Sequence, residues 1–415
     1  MRAALTGLLL SLLITACTRK DSASEIVVRE QRGDTLVLRI RGNGKWQGAA
    51  RLSRASTFGD AEGSDTVTLG RILALATGPD GRIFATDGQR FAVRVFDHSL
   101  KPLALWGRAG SGPAELLNPD GGLAVLADGR VAVRDPGNAR IQIFTPDGAS
   151  AGEWRVVDAS MRALDNFGTR GDTLLWRVVV SAEGPLYDWR YGLARIAPDG
   201  TVLDTLAIPI ASGPRQSLVA RRGNNIAELP LPFAANFMWA WHPSGGFATA
   251  RGDNYAITWP QPPGLLRVER EIAAVAVSSA EAAQERAYIT RGLQWLDPSW
   301  TWTGPPIPRM KPLLSRLFIG TDMSVWVVRE GEAIDRNDPD FDSNDSFSVE
   351  RRLKSRLSFD VFTANGEFLG SLALPEGMQL LPQPVFSTGE IIALELDGEG
   401  VPRIVRYNVE TPAAR

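Results

Sequence analysis

The sequence predicts an all-β fold, a six-bladed β-propeller built from four-stranded antiparallel blades. From about residue 70 onwards, short runs of β-branched and aromatic residues alternate with turn dipeptides, and helical periodicity is nearly absent. A turn followed by an apolar strand recurs six times, with first apolar residues Ile83, Val131, Leu174, Phe247, Val325 and Ile391. Their spacings of 48, 43, 73, 78 and 66 residues fit blades of which the later ones carry long insertions.

Each of these strands precedes a second strand, which a tight turn usually follows. Three of the turns contain dipeptides that supply the positive φ angles of hairpins, namely Asp147-Gly148, Asp199-Gly200 and Asn365-Gly366. An outer strand then returns in every repeat except the sixth, which runs out of chain after Val409. We therefore expect an N-terminal strand, either 35–40 or 50–58, to complete the last blade and close the ring.

The N-terminus has the pattern of an export signal. Arg2 precedes an apolar run, 5–14, that is too short to span a bilayer as a stable helix. The run ends in Ile14-Thr15-Ala16-Cys17, which resembles the lipobox of bacterial lipoproteins and implies a lipid on Cys17. The predicted domains are a signal peptide over 1–16, a lipidated cysteine and tether over 17–32, and the propeller over 33–415.

The residue after the cysteine refines the predicted location. In Gram-negative lipoproteins, Asp after the cysteine marks retention in the inner membrane. This chain has Thr18 at that position, which resembles the outer-membrane sorting pattern. We therefore predict an exported lipoprotein, anchored in the outer membrane and facing the periplasm.

Composition excludes several classes of site. Lys and Arg number 45 against 47 Asp and Glu, a net charge of -2 that argues against nucleic-acid binding through bulk charge. His98 and His242 are the two histidines and Cys17 is the single cysteine, which excludes a three-imidazole site, a thiolate zinc cluster and an internal disulfide. We expect a monomeric propeller with a membrane anchor and no nucleic-acid partner.

The second repeat carries the most specific family pattern. The run from Gly107 to Leu116, followed by the run from Asp135 to Phe144, resembles an NHL repeat of bacterial six-bladed propellers. The first repeat matches less well, because Arg90 stands where the family has asparagine. The resemblance implies the fold rather than an activity.

Several residues of this second repeat have a structural interpretation. Asp135 and Arg140 occupy positions where a carboxylate and a guanidinium tie a blade together. The glycines at 107, 110 and 112 are interpreted as turn residues, since no Gly-Lys-Ser/Thr follows and no helix begins there.

Two loops contain candidate ligand contacts. The first is acidic and includes Asp338, Asp340 and Asp342, but Ser343 and Val349 stand where an EF-hand needs Gly and Glu. It is either a solvated insertion that folds onto its own basic half, 351–356, or a contact for a ligand. The second is a Pro-rich connection with Trp295, Trp300 and Trp302, whose rings either pack on a blade or stack on a sugar or peptide.

One helix is predicted near residues 279–292, within the segment 279–296. Ser279 is the expected N-cap of a run of good helix formers with acidic residues in its first turn. The residues expected to pack on the ring are Ala283, Ala287, Ile289 and Leu293.

Calcium-dependent lactonases and hydrolases with this fold hold Ca²⁺ in the central channel through Glu, Asn and Asp side chains. The channel candidates here are Asn118, Asp120, Asn166 and Asn236, although asparagine before a strand is also a common turn residue. No pairing of nucleophile and base is recognisable. No cofactor is predicted beyond this Ca²⁺ alternative.

Three functional hypotheses remain: a non-catalytic binding module for a protein, peptide or carbohydrate, a calcium-dependent lactonase or hydrolase, and a scaffold subunit of an envelope complex. We expect the binding module, and its loop lengths predict where it binds. In an antiparallel blade, the turn between the second and third strands leaves from the same face as the connection to the next blade. The long segments 209–235, 272–312 and 335–356 all fall in such positions. They therefore predict a ligand site on one face, with Trp295, Trp300, Trp302 and the acidic loop at its rim.

Overall fold

The computed structural model describes residues 26–59, 68–155, 167–171, 173–181, 190–210, 216–338 and 341–411. Its first strands are β1 Ile26–Arg32, β2 Thr35–Arg41, β3 Arg51–Phe58, β4 Ile72–Thr77, β5 Ile83–Asp87, β6 Ala92–Phe96, β7 Pro102–Trp106, β8 Leu123–Val125, β9 Val131–Asp135, β10 Arg140–Phe144, β11 Ser150–Trp154, β12 Gly168–Arg170, β13 Thr173–Ser181, β14 Arg190–Ile196 and β15 Val202–Ala207. The later strands are β16 Ser217–Arg222, β17 Asn225–Pro230, β18 Phe237–Trp241, β19 Phe247–Arg251, β20 Ala256–Gln261, β21 Gly264–Arg270, β22 Arg316–Ile319, β23 Val325–Asp335, β24 Leu353–Phe362, β25 Phe368–Ala373, β26 Val385–Phe386, β27 Glu390–Leu396 and β28 Pro402–Glu410. Helix α1 spans Ser279–Gln294, and a 3₁₀ turn covers Pro136–Asn138.

These strands form the predicted six-bladed propeller. The blades, in chain order, are β4–β7, β8–β11, β12–β15, β18–β21, β22–β25, and β26–β28 with β3. Within each blade, neighbouring strands are antiparallel, as in the pairs Ile83 with Phe96 and Val131 with Phe144. The glycines of the three predicted hairpin turns have φ angles of 91°, 87° and 81°, as expected for Asp-Gly and Asn-Gly turns.

The N-terminal segment closes the ring, and the strand that does so is the second of the two predicted alternatives. Strand β3 pairs with β28 from Ile404–Phe58 to Glu410–Arg51, so it is the outer strand of blade six. The other alternative, β2, instead adds to blade four through parallel pairing with β21. Between them, the loop 42–50 crosses blade five, where Trp46 N donates to Leu369 O at 2.7 Å.

Strand β1 differs from the predicted tether. The tether was expected to extend to residue 32, but β1 begins at Ile26 and pairs with β2 in a hairpin. The turn of this hairpin contains Gly33 at φ 60°, a conformation that glycine adopts without the steric cost of a side chain. Residues 1–25, including Cys17 and the predicted signal peptide, lie outside the described residues.

The core consists of apolar clusters between adjacent blades. Trp326 is fully buried and packs edge-to-face on Phe359. Trp239 and Trp241 are only half-buried, and both contact Phe247 edge-to-face. They line the central channel and are not core residues.

Carboxylate–guanidinium pairs tie the blades, as the second repeat suggested. Asp135 is fully buried, accepts from the backbone nitrogen of Leu117 at 3.0 Å and lies 3.6 Å from Arg140 Nε. The glycine-rich run before it is a turn, because Glu115 accepts from the backbone nitrogen of Gly112. Both structural interpretations are therefore confirmed.

Helix α1 begins at Ser279, as predicted, but its N-cap and part of its buried face differ from the prediction. Ser278, not Ser279, is the N-cap, and it forms a capping box with Glu281. The buried positions are Glu281, Glu285, Ile289 and Leu293, so the predicted packing of Ile289 and Leu293 is confirmed, whereas Ala283 and Ala287 are exposed. Glu281 and Glu285 are buried because each pairs with a basic residue, Glu281 with Lys311 and Glu285 with Arg351. Within the described part of the chain, no helix has the length and apolarity needed to cross a bilayer.

Candidate functional site

The long insertions meet on one face of the propeller, as their positions in the blades predicted. Helix α1 contacts the blade-five insertion through two hydrogen bonds between Gln284 and the backbone of Leu353, at 2.8 and 2.9 Å. Arg351 donates to both carboxylate oxygens of Glu285 at 2.9 and 3.0 Å. We call this side of the molecule the long-loop face.

A small cap covers part of this face. It consists of the hairpin β16–β17, helix α1 and the connection after the helix, which share one apolar cluster. Trp300 is 7% exposed and donates from Nε1 to Val219 O at 2.9 Å. Its ring therefore packs inside the cap and is not available as the rim contact that its Pro-rich surroundings suggested.

The other two tryptophans of this connection differ in their exposure. Trp302 packs edge-to-face on Trp300 with ring centroids 6.3 Å apart, and the Arg286 guanidinium lies 4.4 Å from the centroid of the Trp302 ring. Trp295 is 69% exposed. Of the three predicted aromatic contacts, only Trp295 therefore presents most of its ring to solvent.

The acidic loop folds onto its own basic half, which is the first of its two interpretations. The Asp338 side chain is 4% exposed, accepts from Arg351 N at 2.6 Å and lies 3.2 Å from Lys354 Nζ. Asp342 is exposed and accepts from the backbone nitrogen of Asn344. Asp340 lies outside the described residues. Asp338 is thus a structural residue of the loop and is not directed at a ligand.

A cavity of about 700 Å³ lies between the cap and blade five. Phe233, Tyr288 and Leu357 supply apolar and aromatic surface, while Arg316, Arg351 and Glu330 supply charges of both signs. Arg316 is exposed and Arg351 stacks on the Tyr288 ring at 4.2 Å. We call this space the cap cavity.

Glu330 is a half-buried carboxyl group in the cap cavity. It accepts a hydrogen bond from Ser355 Oγ at 3.0 Å, and Lys311 Nζ lies 3.0 Å from the same hydroxyl. No cation of the described residues lies within ion-pair distance of it. Burial raises the pKa of Glu330 above its usual value of 4.5, while the Ser355 hydrogen bond and the Lys311 charge oppose this shift.

This raised pKa predicts a pH-dependent effect of Glu330→Gln. A carboxyl group with a raised pKa in the folded state contributes stability that is fully present below about pH 4.5 and is lost as the pH rises through the folded-state pKa. We therefore expect the variant to have the same Tm as the native chain at about pH 4 and a higher Tm at about pH 7. Thermal unfolding across this pH range tests the expectation, and a Tm difference that does not change with pH would contradict it.

The central channel adjoins the cap cavity. It contains a space of about 800 Å³ against the inner strands of blades three to five, lined by aromatic residues that include Phe167, Trp239 and Trp241. Its charged lining residues are Arg177 and Arg316, and no described lining residue is Asp or Glu. Ser315 and Arg316 line both spaces, so the channel and the cap cavity form neighbouring parts of one site.

The four predicted channel ligands do not converge on a cation. Asp120 pairs with the buried Arg134, and Asn118 N donates to Asp135. Asn236 lines the cap cavity, and Asn166 lies outside the described residues. Among the described residues, no group of three or more His, Cys, Asp or Glu side chains is placed to hold a metal. A channel with two arginines and no described carboxylate does not fit Ca²⁺, which requires oxygen ligands of negative or neutral charge.

Sequence analysis missed the residues that shape this site. Glu330 lies in the middle of β23, after an apolar run, and Lys311 lies in an irregular connection, so neither stands in a recognisable motif. The hairpin β16–β17 carries a local signal, the Gly223-Asn224 turn between two strands, the first of which alternates in burial. That signal was present in the segment predicted as a long connection.

Comparison with known proteins supports the fold. No family model and no curated protein matches the chain, so the resemblance to NHL repeats stays a prediction. A member of the DUF4221 family from Bacteroides vulgatus is similar in structure, with 10% sequence identity, a TM-score of 0.52 and coverage of 88% of this chain and 99% of that one. At this identity the similarity establishes the propeller fold alone.

Weaker similarities extend to two enzymes. A streptogramin B lyase has 11% identity and a TM-score of 0.40, with coverage of 88% of this chain and 99% of the lyase. A gluconolactonase from Xanthomonas campestris has 10% identity and a TM-score of 0.38, with coverage of 82% and 87%. At these TM-scores, neither similarity shows an activity of this chain.

Proposed function

We propose that this propeller is an exported, lipid-anchored binding module, and that its ligand is a peptide or protein segment held in the cap cavity beside the channel mouth. The observation that carries the proposal is the convergence of the insertions of blades three, four and five around that cavity. Loops of a rigid scaffold lengthen where they contact a ligand, and concave sites with a few polar groups are typical binding sites.

The chemistry of the cavity favours a peptide among the three ligand classes considered. Its wall combines the apolar surface of Phe233 and Leu357 with the positive Arg316 and the carboxyl group of Glu330. A peptide presents apolar side chains and charges of both signs, whereas a neutral carbohydrate offers no charge to pair with these groups. A carbohydrate ligand is the alternative outcome of the test.

The enzyme and scaffold hypotheses receive less support. The described channel residues do not fit the Ca²⁺ that lactonase-type propellers use, since Asp120 is paired with Arg134. A scaffold subunit needs a broad contact surface, whereas the feature built by the insertions here is a concave cavity.

Binding is tested with a random peptide display library and a glycan array, screened with the soluble Cys17→Ser chain. We expect peptide binders whose affinity falls about tenfold in Arg316→Ala and stays unchanged in Lys101→Ala, a matched loss of charge in an exposed turn on the opposite face. Glycan binders with the same dependence would make the ligand a carbohydrate. Binding that depends on Lys101 and not on Arg316 would place the site on the opposite face and contradict the proposal.

The lipid anchor makes a separate prediction. Cys17 follows the apolar run and resembles a lipobox cysteine, and acyl chains contribute about 0.8 kcal/mol for each buried methylene. We expect the native chain to fractionate with membranes and Cys17→Ser to be released into the soluble fraction. Radioactive palmitate labelling of the native chain alone gives an independent measurement. A Cys17→Ser chain that stays tightly bound to membranes would contradict the anchor.

A further inference from the structure

A second pocket lies where the N-terminal segment passes from blade four to blade five. Its volume is about 680 Å³, and it is lined by Arg41 and Asn43 of that segment, Arg270 at the end of β21, and Arg329 and Ser371 of blade five. It is separate from the cap cavity, with which it shares no lining residue. We call it the strap pocket.

The wall of the strap pocket contains a buried carboxylate that lies next to two guanidinium groups. Asp360 is fully buried and accepts from Arg270 Nη1 at 2.7 Å, while Arg329 Nη1 lies 3.7 Å away. Tyr255 and Ser371 donate their hydroxyl groups to the same carboxylate. Burial raises the pKa of Tyr255 well above its ordinary range, so this residue is a neutral donor.

The charges of this wall do not balance. Arg270 and Arg329 carry two positive charges, and Asp360 carries the one negative charge paired with them among the described residues. The remaining charged pair, Arg41 with Glu271, is exposed and neutral as a pair. The strap pocket therefore carries one excess positive charge, located at the two guanidinium groups of its inner wall.

Arg270 is held rigidly in this position. Its guanidinium lies 3.5 Å from the centroid of the Phe368 ring, and Nη2 donates to Gly42 O at 3.0 Å. Arg329 is less constrained, because its side chain is 26% exposed and the nearest carboxylate oxygen of the described residues is beyond hydrogen-bond distance. Arg329 is thus a charged donor that lines a pocket without a full partner.

We propose that the strap pocket binds an oxyanion, a phosphate, sulfate or carboxylate group, through Arg329 with Asn43 beside it. Guanidinium groups match the planar or tetrahedral oxygens of such anions, and an anion there neutralises the excess charge. Because the pocket is formed jointly by the N-terminal segment and blades four and five, an anion also links these three parts. Binding is therefore coupled to the stability of the closed ring.

The experiment measures binding of inorganic phosphate and of acetate to the Cys17→Ser chain by calorimetry and by Tm, at an ionic strength held constant with sodium chloride. We expect a saturable rise in Tm with at least one of the two anions. Saturation with phosphate indicates a site for a tetrahedral group, and saturation with acetate indicates a site for a planar group. In Arg329→Gln the Kd is expected to rise about tenfold. In Arg251→Gln, an equal loss of charge at an exposed pair of blade four, it is expected to stay unchanged.

A second variant distinguishes a loss of binding from a loss of folding. Asn43 is exposed, so Asn43→Asp leaves the buried network intact and adds a negative charge at the pocket, which should also weaken binding. The proposal is overturned if neither anion saturates by about 10 mM, or if both variants bind as tightly as the parent chain.

Discussion

Removal of residues 18–58 is expected to abolish the cooperative unfolding of the propeller. This segment supplies the outer strand of blade six, the loop that crosses blade five and the strand β2 added to blade four. Without it, β28 becomes an open sheet edge, and the only strand pairing that links the two ends of the described chain is lost.

The size of this effect follows from what the segment buries. Five of its apolar side chains are less than 10% exposed, namely Val37, Leu38, Ile40, Trp46 and Phe58. Full burial of such a side chain contributes about 1.5–3 kcal/mol. Five of them together match the net stability of a typical domain, about 5–15 kcal/mol. We therefore expect loss of the native fold and not a small shift in Tm.

A shorter deletion provides the matched control. Strand β1 is the exposed edge of blade four and contains no fully buried side chain, so removal of residues 18–32 deletes one edge strand and leaves β2 and β3 in place. We expect this chain to unfold cooperatively at a slightly lower Tm. Calorimetry and circular dichroism of both deletion variants measure the Tm and the cooperativity of unfolding. If the 18–58 deletion melts like the full chain, the N-terminal segment is dispensable, and its pairing with β28 does not stabilise the ring.

The architecture could be predicted because it is encoded locally. Each blade carries its own turn-and-strand signal, and the absence of a strand after Val409 pointed to closure by the N-terminus. The parallel pairing of β2 with β21 was not predictable in this way. It joins Thr35 to Leu265 across the sequence, and neither strand contains a residue that specifies the other as its neighbour.

The candidate site was less predictable, for a different physical reason. Residue type and spacing identified Trp300 and Asp338 as unusual, but they did not show that the Trp300 ring turns into the cap or that Asp338 turns back to Arg351. Glu281 and Glu285 would be assigned to solvent on helix periodicity alone. Their burial depends on cations that come from distant parts of the chain.

One of these cations, Lys311, gives the second large prediction. Its side chain is fully buried, Nζ lies 2.5 Å from Glu281 Oε1, and it donates to Gly331 O at 2.8 Å. The pair therefore joins the first turn of α1 to blade five. Lys311→Met removes the cation and leaves the Glu281 carboxylate buried without its partner. Breaking a buried pair in this way typically destabilises by about 3–5 kcal/mol.

A second substitution, in Glu281, separates the contribution of the ion pair to stability from the contribution of side-chain packing. In the double variant Lys311→Met with Glu281→Gln, no charge is left buried, and the Gln side chain retains the capping geometry with Ser278. We expect urea denaturation to show that the double variant recovers most of the stability lost in Lys311→Met, which is a strong coupling between neighbouring sites. The exposed pair Arg251 and Asp253, treated in the same way, should show almost no coupling. If the two buried substitutions are simply additive, the loss in Lys311→Met comes from packing of the aliphatic chain, and the pair does not hold the cap to the propeller.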